Sequence, residues 1–406
     1  MSSADPQGLQ AFPEALTAQK AWLEPFEWYS EMRENSPVRY DPSRGSWDVF
    51  RYGDVKRVIS DNETFSTDPR EAGDFVEPEG EGTGLILDTM LFCDPPRHDE
   101  LRGVVDDAFN PRAVGELEGR LRELMGEVMD DALAANDGEM DLVEEIAYPF
   151  PVTVIAELLG VPTDDRAQFK EWSDSLVAAA STDDAVLERQ QQSQREMAWY
   201  FLELIEERRE NPRDDLISTI ATAELSDGSR LPQQEALGMC MLLLIAGNIT
   251  TTNLITNAMR CFANQNLCEE LAGDENAIGS AIEEVLRYRS PVQAMTRVAL
   301  TNVSLGEATI EEGDRLVAWL GSANRDDRTF ENGDTFIADR MPTRHLGFGN
   351  GTHYCLGAPL ARLEARVALS ALLSRLDGVA LSDTDLSPTR SSFIYGVESL
   401  PLRYEA

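Results

Sequence analysis

His345-Leu346-Gly347-Phe348-Gly349-Asn350-Gly351-Thr352-His353-Tyr354-Cys355-Leu356-Gly357-Ala358-Pro359-Leu360-Ala361-Arg362-Leu363-Glu364 is the stretch that decides how this chain of 406 residues is read. It places one cysteine behind a loop with glycines at 347, 349 and 351. Glycine lets a backbone come close to a bulky ligand and tolerates positive φ. Pro359 suits a first helical turn, and Leu360, Leu363, Val367 and Ala371 continue at helical spacing. Cys355 is therefore expected on a tight loop just before a helix N-terminus, where free N–H groups and the helix dipole favour a thiolate.

The stretch resembles the haem-binding loop of the cytochrome P-450 family, F-x-x-G-x-x-x-C-x-G, with Phe348, Gly351, Cys355 and Gly357 at the four matching positions. Other segments resemble the family in the family's order. Asp94-Pro95-Pro96-Arg97-His98-Asp99-Glu100-Leu101-Arg102 is similar to D-P-P-x-H-x-x-L-R, and His98 and Arg102 share one helix face. Ala246-Gly247-Asn248-Ile249-Thr250 is similar to the oxygen-binding groove, A/G-G-x-D/E-T, inside a long helix expected over Glu235–Phe262. A glycine in mid-helix costs about 1 kcal/mol, which makes sense where something flat presses on the helix. Glu284-Val285-Leu286-Arg287 matches E-x-x-R, and Phe336 to Arg340 resembles F-x-P-x-R with Ala338 in place of proline.

The resemblance implies a mainly α fold with a smaller β region (α+β), as a single domain over residues 1–406. Haem b (iron protoporphyrin IX) would lie between the long central helix and the cysteine loop. It implies Cys355 as the axial metal ligand. Phe348, Gly349 and Gly357 would lie beside the ring, with Ala246 and Gly247 on its other face and Thr250 as the catalytic hydroxyl. His98, Arg102, Arg297 and His353 would neutralise the propionates, with His345 a weaker candidate. Glu284, Arg287 and Arg340 would form a structural triad bracing the loop. Ile86, Leu87, Val292, Met295 and Ile394 fall where the family lines its substrate pocket. Ile249 departs from the pattern, which usually carries an acid that relays protons there. The implied activity is insertion of one oxygen atom into an apolar or mixed small molecule by a monooxygenase, with electrons from a separate ferredoxin. A peroxide-driven oxidase and a haem protein that binds or senses ligands without turnover are the alternatives.

Composition bounds the rest. A formal net charge of -38, from 73 acidic and 35 basic residues, argues against nucleic acid or an anionic membrane as partner. Only Lys20, Lys56 and Lys170 are lysines. An acidic, lysine-poor surface reads as adaptation to high salt, where the Debye length falls to about 3 Å at 1 M. Cys93, Cys240, Cys261 and Cys268 show no metal-binding or disulfide spacing and read as packing residues. A polar start and no long uninterrupted apolar run predict a cytoplasmic, soluble monomer.

Overall fold

A computed structural model describes residues 12–76, 87–162, 165, 168–169, 172, 184–341, 343–382, 385–389 and 391–405. Two helices, α1 (Gln19–Leu23) and α2 (Phe26–Asn35), lead into the hairpin β1 (Val38–Asp41) and β2 (Ser46–Val49), then α3 (Tyr52–Ser60) and β3 (Phe65–Ser66). The helical body follows: α4 (Arg97–Phe109), α5 (Pro111–Glu116), α6 (Glu118–Ala135), α7 (Pro149–Leu159), α8 (Asp184–Glu210), α9 (Leu216–Thr222), α10 (Gln233–Asn264), α11 (Cys268–Leu271) and α12 (Glu275–Tyr288), with β4 (Glu139–Asp141) between α6 and α7. The chain then forms β5 (Ala294–Ala299), β6 (Val303–Leu305), β7 (Ala308–Ile310), β8 (Arg315–Trp319), α13 (Leu320–Ala323), α14 (Ala358–Arg375), β9 (Asp377–Leu381) and β10 (Pro401–Glu405). This is a helix-dominated α+β fold with a minor sheet region.

The axis is α10, a helix of 32 residues, about 48 Å long at 1.5 Å per residue. Met239 to Leu244 are buried all round, and α7, α8, α12 and α14 pack on it. By length and composition α10 could cross a membrane, but 72% of its most apolar window is buried inside the protein. A helix apolar on every side needs such enclosure. The main sheet runs β1-β2-β8-β5-β3, with β2 and β8 parallel and the other pairs antiparallel. It buries Val49, Leu316 and Ala318 against Val55 and Val58 of α3.

Two stretches differ from their periodicity. The leucine stripe from 113 to 133 predicts one helix, but the chain forms α5 and α6 with a break at Leu117. Asn110 caps α5 early through Arg112 and Ala113 N–H, and Gly115 and Gly119 flank the break, where helix propensity is weakest. The segment from Asp141 to Val161 reads as one helix, but Asp141 ends β4, paired to Pro401 of β10. A π-helical turn at Val143–Ala147 follows, then α7, which Gly160 stops at φ +84°. A partner 260 residues away in sequence leaves no mark on local periodicity.

One buried charge network positions the functional region. Arg287 Nε and Nη2 each lie 2.7 Å from a Glu284 oxygen, and Arg340 Nε lies 3.1 Å from both oxygens. Arg287 also donates to the carbonyls of Asn324, Gly333 and Thr335, while Ile337 N–H donates to Glu284. The Glu284 and Arg287 side chains are 0% exposed. The network ties α12 to the segment that feeds the cysteine loop. Glu284→Gln should lower unfolding free energy by about 3–5 kcal/mol, because it leaves guanidinium charge buried and uncompensated. Urea unfolding of the variant against the parent protein measures this, and a loss under 1 kcal/mol would contradict it.

Candidate active site

The cysteine loop is closed by its own backbone. Cys355 N–H donates to Phe348 O at 2.9 Å and Gly349 N–H to Leu346 O at 2.8 Å. Gly351 has φ +76°, and a Cβ there would lie 2.8 Å from the Ser60 Cβ, so any side chain would strain the turn and strike α3. At Gly357, by contrast, nothing lies within 4 Å of where a Cβ would sit. Helix α14 begins one residue later with Pro359 in its first turn.

The expectation that this loop alone favours a thiolate needs correction. Burial pushes the Cys355 thiol up. The N–H groups of Gly357 and Ala358 and the charges of Arg102 and Arg362 pull it down without prevailing. Desolvation outweighs the helix terminus, so ionisation of this sulfur calls for a cation in contact with it. Among the described residues no group of three or more His, Cys, Asp or Glu side chains could hold a metal ion. A metal at Cys355 would take its other ligands from a cofactor.

Cationic groups gather beside the loop. Arg297, on β5, is buried, and burial pulls its guanidinium down to about 10 against the opposing pull of Asp94. It donates to the carbonyls of Thr296 and Ile59 and, among the described residues, to no carboxylate. The His98 and His353 rings lie 4.4 Å apart, edge to face. Burial lowers the His353 pKa, as do Arg297 and His98, against Asp94. Arg102 Nη1 reaches Tyr354 O at 2.7 Å, so α4 is tied directly to the loop. A buried cation bonded only to neutral carbonyls is costly unless an anion joins it. The cluster thus fits a ligand carrying carboxylates, as the two propionates of haem do.

The remaining candidates divide. Ala246 is exposed on α10, with Ile245, Gly247, Ile249 and Thr250 half-buried beside it, and a Cβ at Gly247 would meet Ile155. Thr250 Oγ1 donates back to Ala246 O at 2.8 Å. Phe348 is buried under Arg362, whose Cζ is 4.6 Å from its ring centre. Val292 pairs with Ile394 in a β-bridge, and Met295 Cε lies 3.8 Å from a Cβ built at Gly349. Leu87 is buried, and Ile86 lies outside the described residues. His345 is set apart: its Nδ1 accepts from Gly347 N–H at 3.1 Å, so Nε2 carries the proton and faces Glu283 at 3.1 Å. Both nitrogens are committed to bracing the loop, so its expected contact with a propionate is corrected.

Three acids have a role that the sequence did not assign. Asp94 receives hydrogen bonds from Ser66 and Thr67 and lies 3.7 Å from His353 Nε2. Burial pushes its carboxyl up, but contacts with His353, Ser66 and Thr67 outweigh that and hold it below the usual range. Glu283 holds His345 and Arg362, which overcome burial and keep its carboxyl at about 2. Glu364 is the third: it lies on α14, only 3% exposed, with the Thr251 hydroxyl of α10 bonded to it. Burial raises its pKa to about 8, only partly offset by Thr251. Its position among Leu360, Leu363 and Val367, on the apolar face, was the available signal.

A cysteine on a glycine loop at a helix start, beside buried cations, in a fold whose long central helix carries a small-residue turn, is the pattern of a haem-thiolate protein. A profile of the cytochrome P450 family matches residues 278–404. Cytochrome P450 109 of Bacillus spizizenii is 40% identical over 398 residues, spanning 96% of this chain and 94% of that one. Erythromycin C-12 hydroxylase of Saccharopolyspora erythraea is 39% identical over 366 residues, spanning 88% and 89%. The crystal structure of CYP109E1 from Bacillus megaterium in complex with testosterone superposes with a TM-score of 0.85 at 39% identity, covering 96% of this chain and 100% of that chain. The chain belongs to the cytochrome P450 family. It is an oxidoreductase that binds haem b, and its relatives are monooxygenases, hydroxylases and epoxidases.

The protonation of Glu364 gives a pH test. Its folded pKa, about 8, lies above the ordinary 4.5. Between those values the folded state keeps a proton that the unfolded state has lost, so stability falls as pH rises through the window. Glu364→Gln should therefore gain stability relative to the parent from pH 4.5 to 8, by a few kcal/mol at about 1.4 per pKa unit. Parallel stability curves for the two proteins would contradict this.

Proposed function

We propose that Cys355 is the axial ligand of haem b in a monooxygenase that oxidises apolar, medium-sized molecules of the steroid or macrolide kind. The observation that carries it is the buried Arg297, with His98 and His353 nearby and no carboxylate bonded to Arg297. Bound haem supplies the dioxygen chemistry; the chain supplies orientation and electrostatics. Arg297, His98, His353 and Arg102 would hold the propionates, Phe348 and Gly357 the sulfur side of the ring, and Ala246 and Gly247 its other face. Leu87, Val292, Met295 and Ile394 offer apolar surface to a substrate. CYP109E1 has been solved with testosterone and with corticosterone, and a mutant of EryK with erythromycin B, which supports this substrate class.

Proton supply falls to groups other than the usual acid. The only acid in α10 is Glu235, near its N-terminus. Glu364 reaches the adjacent Thr251, so Glu364 would hold a proton at its carboxyl and Thr251 would pass it toward the Thr250 turn. The Glu364→Gln variant should then lose the pH dependence of product formed per reductant consumed. A peroxide-driven oxidase remains the second reading because Ile249 occupies the relay position. Electrons in the main reading come from a separate ferredoxin-type donor to a soluble cytoplasmic monomer. The charge of -38 supports a salt-rich setting.

The reduced protein with carbon monoxide should show the absorption band of a thiolate-ligated haem, and Cys355→Ser should lose it while retaining fold by circular dichroism. Testosterone, corticosterone and erythromycin B should shift the haem spectrum on titration; silence with all three argues against this substrate class. Turnover with ferredoxin and its reductase but not with peroxide alone separates the two enzymatic readings. Circular dichroism should lose helix signal on dilution from molar salt into dilute buffer, and an unchanged spectrum would refute salt adaptation.

A further inference from the structure

Far along α10 from the Ala246–Thr250 turn, a second group of buried cations surrounds one ring. Arg260 and Arg289 each place Cζ 5.8 Å from the centre of the Tyr395 ring. The Trp22 ring lies 6.3 Å from it, and Asn257 Nδ2 donates to Tyr395 O at 3.1 Å. Arg289 and Arg260 are 8% and 3% exposed. Glu24 answers both: Arg289 Nη2 reaches it at 2.9 and 3.2 Å, Arg260 Nη2 only at 3.4 Å. Arg289 Nη1 also donates to the Tyr395 hydroxyl.

The donors do not close. Arg260 Nε and Nη1 and Trp22 Nε1 are buried without a hydrogen-bond partner among the described residues. Asn257 Oδ1 is a buried acceptor without one, turned away because Nδ2 serves the carbonyls of Arg289 and Tyr395. Next to this group Arg325 stacks 3.4 Å from the Phe26 ring centre and pairs with Asp334. Three buried guanidiniums thus face two half-exposed carboxylates, Glu24 and Asp334, whose side chains are 50% and 49% exposed. Water could satisfy orphaned N–H groups, but it would leave the excess charge unbalanced. Unpaired buried charge is the more expensive defect.

We propose that Arg260 and Trp22 hold a small monovalent anion of the chloride type, with a water beside it donating to Asn257 Oδ1. The ion pins the N-terminal helices to the end of the central helix. This site is independent of haem and of the substrate reading. The test uses the full holoprotein. Crystals grown in bromide should give an anomalous peak in contact with Arg260 Nε or Nη1. The melting temperature should rise saturably with sodium chloride over sodium gluconate at equal ionic strength. Arg260→Met, which fills similar volume without donors, should lose that anion-specific rise. No bromide peak, or identical melting in the two salts, overturns the proposal. Should the Met variant fail to fold, the bromide map of the parent protein decides alone.

Discussion

A half-buried thiol that has lost part of its hydration resists ionisation, and that constraint governs this molecule. Cys355 sits where desolvation raises its pKa, despite two helical N–H groups and two arginines acting the other way. The sulfur becomes a useful ligand only with a metal cation against it. Desolvation would therefore couple the state of the sulfur to occupancy of the site: a bound cation would stabilise the thiolate, and the thiolate would hold the cation.

Holding that sulfur in place takes more of the fold than the loop itself. Glu284 gathers Arg287 and Arg340, and Arg287 reaches three carbonyls in the following segment. Glu283 joins His345 at the start of the loop to Arg362 beyond its end. Arg102 ties α4 to the carbonyl before the cysteine. These contacts are charge-assisted hydrogen bonds, stronger and more directional than neutral ones. They make the loop a preformed platform, as a ligand held by a single protein atom requires.

The charge distribution has two faces. Outside, acids exceed bases by a wide margin; self-repulsion on that scale destabilises a compact state unless salt screens it. Inside, the excess is reversed at two places, beside the cysteine loop and around Tyr395. In both, buried guanidiniums exceed the carboxylates bonded to them. The first would suit the propionates of haem, and the second a counter-ion of another origin. Glu364 is the exception, a buried acid with no cation bonded to it, which therefore keeps its proton near neutrality.

The chain by itself determined the cysteine loop, the glycine turn of the central helix, the His98–Arg102 pair and the Glu284–Arg287 spacing. Each is a local pattern, a few residue types at set intervals. The extent of α10, expected over Glu235–Phe262 and found over Gln233–Asn264, was legible for the same reason. Tertiary structure decided what depends on residues far apart. It drew Asp94 to His353, turned His345 toward Glu283, and laid Glu364 against Thr251. It also set Asp141 in a strand with Pro401 and gathered Arg260, Arg289 and Trp22 around Tyr395. The physical reason is that a side chain's charge and hydrogen bonds depend on how much water packing removes and on which distant group replaces it, and sequence spacing records neither.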